Sequence, residues 1–175
     1  MKEAPLDFQA FYQIHHRSYM EYAFMQSGSK QVSLDLLEVV FAQLLEDWPD
    51  VLREANVERY GFAVLRHAIA TYLALTERPR TLVESASFGK VRAATRRQLE
   101  AMESSLGLYP AIARLPERQM DVIVFLFVLG YSMGAVARIM GICPATVRSH
   151  LHAARRQLAR EVGVQWNDRA AEEVV

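Results

Sequence analysis

The stretch Tyr131–Arg160, YSMGAVARIMGICPATVRSHLHAARRQLAR, constrains this chain more than any other. Ser132 marks a helix start, since a serine hydroxyl accepts from a free backbone N–H of the first turn. Val136, Ala137 and Met140 then recur at helical spacing on one face. Gly141 ends this helix, because glycine enters the left-handed region at little cost. Pro144 suits the first position of a second helix, where no backbone N–H is needed. Val147, Leu151, Ala154 and Leu158 form its apolar stripe, and Thr146, Arg148, Ser149, His152, Arg155 and Arg156 lie on its other faces. Two short helices, a tight turn and small polar and basic residues early in the second are the helix-turn-helix plan. Such a motif sets the start of its second helix against base edges in the major groove.

The competing reading is a helical hairpin inside an ordinary core. Three features oppose it. From Pro144 to Arg160 the second helix has four arginines and no acid. The turn is short. Ala137 is small where two crossing helices must approach closely.

A longer stretch, LPERQMDVIVFLFVLGYSMGAVARIMGICPATVRSHLHAARRQL, resembles region 4 of bacterial sigma factors of the extracytoplasmic-function type. The shared features are LPERQ, a hydrophobic helix, GYS, VA..MG, TVRSHL and AR..L. Response-regulator helix-turn-helix domains share TV..HL, but LPERQ and the AR pair favour the sigma version. The resemblance implies that Arg148, Ser149 and His152 contact base edges. Thr146, Arg155 and Arg156 are placed for phosphates, which fix register without reading sequence. A solvated basic face remains the alternative, and one arginine is open to an intramolecular pairing instead.

A net charge of zero by itself argues against a DNA partner. Its distribution removes the conflict. Met1–Glu77 holds 6 basic and 11 acidic residues, a net of −5, whereas Tyr109–Glu161 holds 7 and 3, a net of +4. The segment 78–108 is also basic, at +3, and the tail 162–175 is at −2. An acidic front and a basic back suit two different partners.

Taken in order, residues 5–26 predict a first helix with Phe8, Phe11, Tyr12, His15, Tyr19, Tyr22 and Ala23 on one side, broken at Gly28. A second runs from about Ser33, its expected cap, to Glu46. Asp50–Glu54 is a short helical piece after the Trp48-Pro49-Asp50 turn. A third spans about Glu58–Glu77, with Phe62, Leu65, His67, Ile69, Tyr72 and Leu73 variously buried and Pro79 as its stop. Three such helices with short connections make a small bundle. Lys90–Ser105 predicts a further helix, and Ala111–Arg114 a single turn. Pro116 opens a helix to about Leu129 that is hydrophobic all round, as expected of a central buried helix. The fold class is therefore all-α, with two small domains. A sigma region 2-like three-helix bundle covers 1–79, a linker with a helix 80–108, a sigma region 4-like helix-turn-helix domain 109–162, and a tail 163–175.

The front half resembles sigma region 2, less closely than the back resembles region 4. FYQIHHRSYMEYAFMQSG is similar to its first helix, and SLDLLEVVFAQLLEDW to the acidic segment that docks on the clamp helices of the polymerase β′ subunit. Asp35, Leu36 and Phe41 keep that pattern, while Glu38 replaces a usual glutamine. These four are the expected polymerase-binding residues; a merely solvated acidic face is the alternative. ERYGFAVLRHAIATYLALTERPR is similar to the helix that reads and melts the −10 element. There His67 and Thr71 stand where the family carries Asn and Asp, and Leu73-Ala74-Leu75 replaces an arginine cluster. Tyr60, Phe62 and Tyr72 are the candidates to stack on single-stranded bases, but cationic charge is thin.

Other chemistry finds little support. His15 and His16 point in different directions on a helix and have no second pair at ligand spacing, so no metal is expected. Cys143 stands alone, which excludes an internal disulfide, and reads as a small packing residue in the turn. No nucleophile elbow or phosphate loop is present, which points away from an enzyme and from any cofactor. No apolar run approaches a membrane span, and the acidic, amphipathic N-terminus is unlike a signal peptide. A reducing, cytoplasmic location follows. The expected partners are core RNA polymerase, through the β′ clamp helices, and duplex promoter DNA, with an anti-sigma protein added by resemblance. Two alternatives stay open: a DNA-binding regulator that has lost −10 melting, and a sigma mimic that sequesters an anti-sigma factor.

Overall fold

The computed structural model describes residues 4–78 and 107–162, and every regular element among them is helical. The chain divides into a front unit, Met1–Val83 with Ile139–Gly141, and a back unit, Glu84–Arg138 with Ile142–Val175. The expected helix at Lys90–Ser105, the Pro79 stop and the tail lie outside the described residues.

In the front unit, α1 spans Leu6–Ser27, α2 Lys30–Glu46, α3 Trp48–Val51 and α4 Val57–Leu75. Phe8, Phe11, His15, Tyr19 and Tyr22 alternate three and four apart, so α1 turns one aromatic face inward. Phe41 of α2 stacks on Tyr19 at 5.8 Å between centroids, and Phe62 of α4 meets Tyr22 edge-on at 5.4 Å. Trp48 packs on Phe8 and donates its indole N–H to Asp7 Oδ1 at 3.0 Å. Gly61 lets α4 cross α1 closely, because a Cβ there would sit 2.6 Å from Phe11 Cζ and 3.0 Å from Tyr19 Oη. Burial, with the Glu58 carboxylate adding to it, pushes the Tyr19 phenol far above its ordinary range.

Two helix ends differ from expectation. The second helix starts three residues before Ser33, at Lys30, capped by Ser29, whose hydroxyl accepts from Val32 N. Ser33 is fully buried and bonds to Ser29 O at 2.8 Å and to Ser27 Oγ at 2.9 Å. Of two serines four residues apart, the one whose backbone is extended is the cap. The third long helix ends at Leu75, before Glu77. Glu77 enters the left-handed region at φ 51°, and Arg78 N bonds back to Leu73 O at 3.0 Å. This is a Schellman closure with a glutamate where glycine is usual.

In the back unit, α5 spans Leu108–Arg114, longer than the single turn expected. Helix α6, Glu117–Ile123, continues as a π-helical turn over Val124–Val128, with Leu129 N bonding to Val124 O at 2.9 Å. Val122 to Phe125 are all buried, in keeping with the expected central helix. Helix α7 spans Met133–Met140, and α8, Pro144–Val162, packs on α6.

Candidate nucleic-acid interface

The α7–turn–α8 unit follows from three local devices. Ser132 Oγ accepts from Ala135 N at 3.3 Å and caps α7. Gly141, at φ 61°, closes it, and Ile142 N returns to Ala137 O at 2.9 Å. Pro144 then opens α8, with Thr146 N bonding to Cys143 O at 2.9 Å. Val147, Leu151, Ala154 and Leu158 are buried along α8. Each buried leucine contributes about 2 kcal/mol, so the stripe fixes which face turns outward.

That outward face carries Arg148, Ser149, His152 and Arg156, all exposed, with Thr146 half-buried at its start. Among the described residues the Arg148 and Arg156 guanidiniums make no ion pair. Ser149 Oγ donates to Ala145 O at 3.1 Å. Arg155 differs. It is half-buried, and its guanidinium carbon sits 5.7 Å from the centroid of the Phe127 ring, a cation–π arrangement. It therefore lies in the seam between α8 and α6, unlike the exposed Arg148 and Arg156. Arg114 pairs with Glu161 at 3.0 Å and ties α5 to the last turn of α8, and Arg160 Nε donates to Arg156 O. The Gln157 and Arg114 side chains hold the Glu161 carboxyl below its usual range.

Two more side chains bear on the start of α8. Cys143 is exposed, not packed as expected, and its Sγ lies 3.0 Å from Thr146 Oγ1. Hydrogen bonds from the Thr146 hydroxyl and backbone N–H lower the thiol's pKa. His150 is half-buried; desolvation, then the nearby Arg118 charge, lower its pKa, which keeps the ring neutral near pH 7.

The front-unit residues expected at a polymerase surface divide. Asp35 and Glu38 are exposed on α2, with Asp35 accepting from Gln31 Nε2 at 2.8 Å, and Leu36 is half-buried. Phe41 is 6% exposed, in contact with Phe8, Tyr12, His16 and Tyr19. An aromatic ring at that helical position completes the core, so Phe41 holds α2 in place and offers no surface. Phe62 likewise is fully buried and unable to stack on a base, which leaves the half-buried Tyr60 and Tyr72. His67, expected to be partly buried, is exposed. It and Thr71 line an apolar groove of about 440 Å³ between α2 and α4, with Val39, Ala68 and Leu75. Among the described residues no group of His, Cys, Asp and Glu is arranged to hold a metal, and no helix is long and apolar enough to cross a membrane.

A capped helix, a glycine-closed turn and a second helix with an outward basic face define a helix-turn-helix unit. Residues 106–158 match the family described as sigma-70, region 4. The chain is 36% identical over 62 residues to the extracytoplasmic-function RNA polymerase sigma factor SigM of Mycobacterium tuberculosis, in strains Erdman and H37Rv alike. That alignment covers 35% of this chain and 32% of SigM, so the chain matches about a third of the length of its curated relatives. The sigma factor RpoE of Bartonella quintana, solved in complex with the anti-sigma factor NepR, has a similar fold at TM-score 0.50 and 17% identity, over 91% of this chain and 99% of that one. Residues 106–158 thus carry a sigma-70 region 4, and over 62 residues the chain is similar to an extracytoplasmic-function sigma factor.

Proposed function

We propose that the chain is a sigma factor that recruits core RNA polymerase to promoters, its α8 reading a −35 duplex element. The observation that carries this is the α8 outer face, where Arg148, Ser149, His152 and Arg156 lie together and exposed on a region 4 framework. Arg148 and His152 approach base edges with Ser149; Thr146 and Arg156 hold phosphates. On the front unit, Asp35 and Glu38, with the edge of Leu36, meet the β′ clamp helices. An anti-sigma protein is the further partner, and no cofactor takes part. The domain limits proposed are 1–79 for the polymerase-binding bundle and 109–162 for the DNA-binding domain.

One observation favours a second reading, a regulator that binds duplex DNA without opening it. The α4 positions that match the family's −10 readers line an apolar groove, and Leu75 beside them is 80% exposed in place of a cation. In vitro transcription with core polymerase decides between the two. Promoter-dependent transcripts support the sigma factor. Duplex binding without core binding or transcripts supports the regulator. Core binding without duplex binding refutes the role given to α8.

A further inference from the structure

We propose that Ser149 selects, on one strand at one position of the duplex element, a base that carries an exocyclic amino group in the major groove, adenine through N6 or cytosine through N4. This rests on the reading that α8 lies in that groove. A serine hydroxyl has one proton and two lone pairs. Here the proton is spent inside the helix, donated to Ala145 O at 3.1 Å, while the side chain itself is exposed. What Ser149 offers outward is therefore an acceptor. In the major groove adenine and cytosine present amino donors, whereas guanine and thymine present carbonyl oxygens. A carbonyl oxygen would face a lone pair until the hydroxyl let go of Ala145 O, so the amino-bearing bases are preferred.

The neighbouring residue has the opposite character. Arg148 is all donor and suits guanine O6 and N7. Two adjacent exposed residues thus ask for complementary edges.

The experiment uses the full chain, and Ser149→Ala and Ser149→Thr variants, against a duplex selected from a random pool. Affinity is measured for every single base-pair replacement. It is measured again with the responsive base replaced by an analogue lacking its exocyclic amino group. Wild type is expected to lose about fivefold on that replacement, the size of one net neutral hydrogen bond. Ser149→Ala loses nothing further there and keeps its profile elsewhere. Ser149→Thr, whose hydroxyl also bonds back one turn, retains the preference. The proposal is overturned if Ser149→Ala leaves every position unchanged, or if removing the exocyclic amino group at the position it alters costs wild type nothing. Absence of any sequence-selective duplex binding by wild type overturns the underlying reading together with it, whereas intact selectivity with a flat response at Ser149 overturns this proposal alone.

Discussion

Arg155 and Arg156 are neighbours in the chain with different surroundings, and a pair of alanine substitutions will separate their expected roles. Arg156 is exposed and makes no ion pair among the described residues, so its charge is available to a phosphate. Each phosphate neutralised contributes about 0.9 to the slope of log K against log salt on duplex DNA. Arg156→Ala should therefore flatten that slope by about 0.9 and weaken binding to all sequences alike, with stability changed by less than about 0.5 kcal/mol. Arg155 rests on Phe127 at 5.7 Å, half-buried in the seam between α8 and α6. An exposed cation–π contact is worth about 0.5–1 kcal/mol, and the buried stem adds packing. Arg155→Ala should cost the back unit about 1 kcal/mol, or about 4–8 °C in Tm for a unit of this size. Its salt slope should stay within about 0.3 of wild type. The assays are fluorescence-polarisation titrations of the full chain at four salt concentrations and thermal melts followed by far-UV circular dichroism. A slope that falls by the same amount in both variants, with equal melting temperatures, would refute the division.

Three smaller predictions concern stability. Glu77→Gly relieves a left-handed glutamate at an exposed helix end and should stabilise the front unit by about 1 kcal/mol, read from the fluorescence of buried Trp48 in a Trp166→Phe background; Glu77→Ala should give no such gain. Gly61→Ala forces Phe11 out of an aromatic cluster, and overpacking of about 1–3 kcal/mol outweighs the helix-propensity gain of about 1 kcal/mol, so urea midpoints should fall. Because His150 has a lowered pKa, the unfolded chain takes up its proton first. Its contribution to stability is fully present above the ordinary value near 6.5 and is lost as pH falls from there through the folded value, so the difference between wild type and His150→Gln melts should shrink or reverse only in that window.

What was legible in the sequence was what local chemistry determines. Ser132, Gly141 and Pro144 specify the ends of α7 and α8 through a hydroxyl, a missing Cβ and a missing N–H, and each acts in the structure as its chemistry requires. The stripe Val147–Leu151–Ala154–Leu158 fixed the buried face of α8 by spacing alone. Arg155 was harder. It lies four residues after Leu151 and three before Leu158, on the edge of the stripe, and only the ring of Phe127 from another helix decides which way its charge goes. Ser29 and Ser33 differ by one turn, and backbone extension at Ser29, which no composition reveals, chose the cap. Phe41 misled for a related reason. A family pattern marks a position as preserved without saying whether it faces a partner or the core, and here four rings surround it. Cys143 looked small enough to pack, yet a residue just before a helix start has few side chains to bury it.

The number of available cations sets how the protein must work. On α8 Arg148, Arg156 and Arg160 make no ion pair among the described residues, Arg160 donating to the neutral Arg156 O, while Arg155 lies over Phe127. If Arg148 reads a base, Arg156 and Arg160 are left as the phosphate anchors of that helix. One or two phosphate contacts give a shallow salt slope and weak duplex binding, far from the 6–10 contacts that make a repressor-like grip of roughly 10³–10⁵-fold salt sensitivity. A weak reader fills its element only when something else holds it near the promoter, because tethering replaces a second bimolecular step by a local concentration in the millimolar range. The acidic face of α2, with Asp35 and Glu38 exposed, is the candidate for that other hold. It follows that charge reversal at Asp35 and Glu38 should abolish promoter occupancy in the presence of polymerase while leaving the weak binding of the chain alone to duplex DNA unchanged. Equal loss in both measurements would mean that the front unit touches DNA itself.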